Sequence, residues 1–136
     1  MKKDVPLVEV RKINTIKELL YGSVELYSNE IAFLHKPTGK NYEPVTFKQY
    51  GDDVNALGLA FADLGLSDGA KIAIVSHNRY AWGTTYMAAV NGDTVVVPID
   101  KELNIDDIIN LLNVSEAKAV VYSDEFLKKA EPYRLY

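Results

Sequence analysis

Cysteine is absent from the 136 residues, histidine occurs only at His35 and His77, and tryptophan only at Trp82. The first absence excludes a disulfide framework and any thiolate metal site, and two histidines so distant in sequence make a poor zinc site. Positive charge is also scarce: 15 Lys and Arg face 19 Asp and Glu, for a formal net charge of -4. Nucleic acid and anionic membrane surfaces attract clustered cations, so this balance argues against both as partners. No apolar run approaches the roughly 18 residues that mark a membrane span. The start, Met1–Asp4, lacks the apolar core of a secretory signal. The expectation is a cytoplasmic protein with no transmembrane segment.

What is present fits one soluble globular domain, with 48% hydrophobic and 25% charged residues. Thr15 with Glu18 reads as a capping box, and Ile16, Leu19, Leu20, Val24 and Tyr27 follow at helical spacing. Short apolar stretches at 31–35 and 42–46 flank the Pro- and Gly-containing segment 36–40, which predicts a β-hairpin. Thr46 with Gln49 is a second capping box. Phe47, Tyr50, Val54, Leu57, Phe61 and Leu64 then recur every three or four residues until Gly65 supplies a C-cap. Residues 71–76, 94–97 and 118–122 are buried-strand candidates, and Pro98 is expected to stop the second of them. Between them lie a helix over 80–90, rich in small residues, and one capped by Asn104 with Ile105, Ile108, Ile109 and Leu112 on one face. A short helix from Asp124, with Phe126 and Leu127 inward, ends near Pro132. Strands alternating with helices predict an α/β fold: a doubly wound parallel sheet with helices on both faces, plus an N-terminal β-hairpin. The last strand is expected to lack one neighbour.

The residues themselves carry little chemistry. Thr38, Gly39 and Lys40 lack the earlier glycine and the following Ser or Thr of a phosphate loop, and they lie between strands, so a turn is the better reading. Ser76, His77 and Asn78 fall at a strand's carboxyl end, where ligands bind in parallel sheets, although loop capping explains them more simply. The pairs Asp52–Asp53 and Asp106–Asp107 are read as first-turn residues favoured by helix dipoles. Trp82 reads as a core anchor for the loop before it, and Lys128 and Lys129 as the solvated face of the last helix. The nine tyrosines form no stacking platform interleaved with cations.

Taken in order, however, several strings resemble the opening region of the adenylate-forming superfamily, and of its acyl-CoA synthetases in particular. Residues 44–50 resemble the family's "T-Y-x-E" helix entry. Residues 64–74 resemble "L-G-L-x-x-G-D-x-V-A-I", with Ala70 in place of the Asp. Residues 78–82 are similar to "N-R-x-E-W", with Ala81 in place of the Glu, and 97–103 to "V-P-L-D-K-E-L" of bacterial long-chain members. Residues 115–119 fit the next block, while 91–94 depart from the usual "G-A".

The resemblance implies that residues 1–136 are the N-terminal part of the AMP-binding large domain of a fatty acid-CoA ligase, with no complete second domain. Such enzymes use ATP and Mg2+ to form an acyl-adenylate and transfer the acyl group to CoA. The family's phosphate loop ending in Pro-Lys-Gly, its ribose-binding aspartate, its magnesium-binding glutamate and its C-terminal lysine have no counterpart here. The resemblance therefore implies no catalytic or metal-binding residue in this chain, inactivity of the chain alone, and no tight cofactor binding. One position, Lys128, matches a stretch where basic residues approach the CoA phosphates in relatives. Self-association through uncovered apolar surface is expected. Two rivals stand beside this reading: a self-contained, non-enzymatic α/β module binding a nucleotide or a partner, and an adenylation domain of another substrate branch.

Overall fold

The computed structural model describes residues 11–37, 39 and 41–130. Helix α1 spans Ile16–Tyr27 behind Thr15, whose Oγ1 accepts the Glu18 N–H at 3.0 Å. The return arm of this cap misses the expected partner: the Glu18 carboxylate accepts the backbone N–H of Asn14 at 2.8 Å. That bond, and a second from the Asn14 amide, hold the Glu18 carboxyl below the usual carboxylate range. Of the expected apolar stripe only Leu20 is fully buried.

Strands β1 (Ile31–His35) and β2 (Glu43–Thr46) pair antiparallel, Phe33 opposite Val45 and His35 opposite Glu43. The chain does reverse between them, though Thr38 and Lys40 lie outside the described residues. Thr46 then caps α2 (Phe47–Asp63) with a complete reciprocal box: its Oγ1 accepts the Gln49 N–H, and Gln49 Oε1 accepts the Thr46 N–H. At the other end Gly65, at φ +76°, lets its own N–H reach the Ala62 carbonyl and that of Leu66 reach Phe61, a Schellman closure. Gly51, mid-helix, has a separate reason: a methyl there would sit 2.8 Å from Val24 Cγ2 on α1. Helix propensity yields to the contact between the two helices.

The parallel sheet consists of β3 (Ala70–Val75), β4 (Thr94–Pro98) and β5 (Ala119–Tyr122) in the order β4-β3-β5. Pro98 does not stop the ladder. It sits opposite Ile74 as the last residue of β4, and the next N–H, from Ile99, reaches the Ile74 carbonyl at 2.9 Å. Alternate N–H groups of a strand point to opposite sides, so the donor that proline lacks belongs to the open side of an edge strand.

Helix α3 (Tyr80–Asn91) carries the chain from β3 to β4; α4 (Ile105–Ser115) carries it back past β3 to β5. Crossovers in opposite directions with one hand put their helices on opposite faces. Burial agrees. Ile72 packs with Leu20, Tyr50, Val54, Ala88 and Ala89 of α1 to α3. Its neighbour Ala73, with Val75, packs with Ile108 of α4 and Phe126 of α5 (Asp124–Ala130). The doubly wound arrangement with helices on both faces is thus present, and Phe126 is inward as expected. The Leu127 side chain and the helix end near Pro132 lie outside what is described.

Candidate functional site

In a doubly wound sheet, adjacent strands whose following loops run to opposite faces open a crevice at their carboxyl ends. Here β3 leads to α3 on one face and its neighbour β5 leads to α5 on the other. A cavity of about 250 Å³ opens there, lined by His77, Lys101, Glu102, Ser123, Glu125 and Phe126. His77 Nε2 lies 3.1 Å from the Glu125 carboxylate, joining the two loops, and Lys101 pairs with Glu102. The other ring nitrogen of His77 is buried without a partner among the described residues.

Ser76 and His77 do not form a nucleophile and its base. The Ser76 hydroxyl points to the backbone carbonyl of His77 at 3.3 Å, while the imidazole is turned to Glu125. Asn78 is exposed beside them. The loop is therefore built around turn contacts, as the simpler reading of these residues expects. Lys128 lies on α5, exposed, two residues beyond the buried Phe126, and is not among the residues lining the 250 Å³ cavity.

A larger open cleft, about 670 Å³, separates the hairpin from the loop after β3. Its walls come from Phe33 to Pro37 on one side and His77 to Ala81 on the other. Both histidines of the chain thus face one cleft, although 35 and 77 are far apart in sequence. An aromatic group holds the wall in place: Phe33 meets Tyr50 at 4.8 Å and Tyr80 at 5.5 Å between ring centroids, and Tyr80 meets His35 at 5.6 Å. The Tyr50 hydroxyl donates to the Gly83 carbonyl at 3.1 Å. The Tyr80 hydroxyl donates to Asp53 at 2.7 Å. Burial, that hydrogen bond and the carboxylate's charge, in this order, push the Tyr80 phenol far above its ordinary value, and burial alone raises that of Tyr50.

Two expectations are corrected here. Asp52 and Asp53 are not first-turn residues, because α2 begins at Phe47. Side chains explain them instead: Asp52 pairs with Lys48 at 2.5 Å, and Asp53 accepts from Tyr80. Asp106 and Asp107 do occupy the first turn of α4, where Asn104 accepts the Asp107 N–H at 2.9 Å. Trp82 is not a core residue. It is only half-buried and stacks on Tyr86, one turn along α3, with centroids 5.4 Å apart. Among the described residues, no three His, Asp or Glu side chains converge as metal ligands would.

A family model, described as AMP-binding enzyme, matches residues 22–134. The chain belongs to the AMP-binding enzymes. It is 32% identical over 82 residues to YdaB of Bacillus subtilis (strain 168), which is named as an acyl-CoA ligase; the match covers 60% of this chain and 16% of that protein. It is 32% identical over 89 residues to fatty acyl-CoA synthetase A of Dictyostelium discoideum, covering 65% of this chain and 13% of that one. The chain therefore spans less than a fifth of either curated relative. Among solved structures it is similar to the inhibitor-bound N-terminal domain of FACL13 from Mycobacterium tuberculosis, with a TM-score of 0.81 and 19% identity over 91% of this chain and 30% of that one. At that identity the likeness is one of fold. It agrees with the expected α/β fold.

Proposed function

We propose that this chain is the N-terminal part of the large domain of a fatty acid-CoA ligase. In that reaction a fatty acid carboxylate attacks the α-phosphate of ATP, with Mg2+, releasing pyrophosphate. The CoA thiolate then displaces AMP from the acyl-adenylate. The observation that carries this reading is the family match over 22–134, joined to relatives named for acyl-CoA synthesis. Residues 97–103, similar to "V-P-L-D-K-E-L" of bacterial long-chain members, favour the fatty acid branch.

On this reading the sheet and its helices are scaffold and one wall of a larger site, within a cytoplasmic enzyme. Lys128, exposed on the helix that follows β5, is the residue assigned to the CoA phosphates. The sequence holds no Ser/Thr/Gly-rich loop ending in Pro-Lys-Gly to offer backbone N–H groups to a triphosphate. The chain by itself is therefore inactive and binds ATP, Mg2+ and CoA weakly, and its uncovered apolar surface drives self-association.

The test is ATP–pyrophosphate exchange with a fatty acid, run on the 136 residues alone and on a longer protein that includes the family's downstream segments. Exchange is expected only from the longer protein. Robust exchange from the 136 residues, or none from the longer protein with any fatty acid, overturns the proposal.

A further inference from the structure

The cleft between the hairpin and the loop after β3 has a charge pattern that the scaffold does not require. Carboxylates outnumber Lys and Arg in the chain as a whole, yet among the described residues the ten that line the cleft include no Asp or Glu. Four of the ten are Lys36, Arg79, His35 and His77. Two carboxylates meet residues of this wall, Asp53 accepting the Tyr80 hydroxyl and Glu125 facing His77 Nε2, and neither forms an ion pair with Lys36 or Arg79. Glu43 is opposite His35 in the hairpin register but does not line the cleft. Arg79 is exposed and makes no ion pair among the described residues. Lys36 stands over the Tyr42 ring at 5.6 Å, a contact that leaves its ammonium hydrogens able to donate. The remaining lining is apolar or aromatic: Phe33, Leu34, Pro37, Tyr80 and Ala81, beside Asn78.

We infer that this cleft is a binding site for a phosphorylated small molecule, with the phosphate oxygens held by Lys36 and Arg79. A guanidinium fork matches phosphate geometry in two parallel bonds, and a lysine adds a point charge from the opposite wall. The two cations belong to different elements, one just after β1 and the other just before α3, so an anion between them joins hairpin to sheet. At about 670 Å³ the cleft exceeds a lone phosphate and falls within the roughly 300–1,000 Å³ of small-molecule sites. The aromatic and apolar wall accommodates the organic body to which the phosphate is attached.

The experiment titrates the 136-residue chain with inorganic pyrophosphate and, separately, with ATP, at matched ionic strength, following backbone amide shifts. Both probes are expected to give saturable shifts centred on Lys36 and on 77–81. Lys36→Gln combined with Arg79→Gln, both at exposed positions, should weaken pyrophosphate about a hundredfold, since losing one charged hydrogen bond at each position costs roughly tenfold apiece. Lys118→Gln, at the amino end of β5, should leave affinity unchanged. The inference is overturned if shifts do not saturate, if they map elsewhere, if the double variant binds as tightly, if Lys118→Gln weakens binding equally, or if ATP binds and pyrophosphate does not. None of these readouts involves turnover, so they stand apart from the exchange assay on the longer enzyme.

Discussion

Tyr80 is where several constraints converge. Its ring contacts Phe33, His35 and Tyr50, and its hydroxyl donates to Asp53 at 2.7 Å. Both Tyr80 and Tyr50 have phenols raised above the ordinary value near about 10, so folding favours their neutral forms. A group whose folded pKa is raised lends stability that is fully present below the unfolded pKa and is lost as pH climbs through the folded one. Urea midpoints should therefore hold up to about pH 10 and fall steadily above it. Tyr80→Phe should cost about 1 kcal/mol at neutral pH, a charged hydrogen bond discounted for partial solvent exposure, and should flatten the alkaline decline. Equal slopes for the variant and the parent above that pH would show that the phenol does not carry the effect.

Among the elements, those with chemical stops and starts are legible in the sequence. The capping pattern predicts a first helix from Ile16 to Tyr27, and the helix has those limits, because Thr15 provides an oxygen where the first turn needs an acceptor. Gly65 ends α2 for an equally local reason, its positive φ. The candidate site is less legible, because its contacts join different elements. Asp53 with Tyr80, His77 with Glu125 and Phe33 with Tyr50 leave no periodic trace, since periodicity reports which face a residue occupies and not which neighbour meets it. Trp82 misleads through its size: with Tyr86 four residues on, it covers apolar area by stacking along its own helix. The complete box at Thr46 also ranks the caps. Thr46→Ala should lower stability by about 1 kcal/mol and Thr46→Ser by much less. Thr15→Ala should cost less than Thr46→Ala, since α1 buries only Leu20 while α2 delivers Tyr50, Val54 and Phe61 to the core. Denaturant midpoints check the order, and an equal or larger loss at Thr15 would refute it.

At the scale of the whole molecule the core is divided between two faces of a three-stranded sheet whose outer strands, β4 and β5, have open edges among the described residues. Apolar surface remains outside. Leu34 is 63% exposed on the hairpin, Leu59 68% and Leu64 76% on α2 and its cap, and Val114 73% on α4, so the uncovered positions surround the sheet on both sides. Single exposed leucines are ordinary, but this many on a chain of 15.2 kDa, together with unpaired edges, favour association in water. Light scattering across a concentration series should give a mean mass that rises above 15.2 kDa. Replacing Leu34, Leu59 and Leu64 with Asn, all at exposed positions, should bring it back toward the monomer with little change in the unfolding midpoint, because no core contact is removed. A constant monomer mass at every concentration would show that these surfaces tolerate water. Association that survives the triple variant would instead locate it at the sheet edges, where a charged residue on β4, Val95→Lys, should then abolish it.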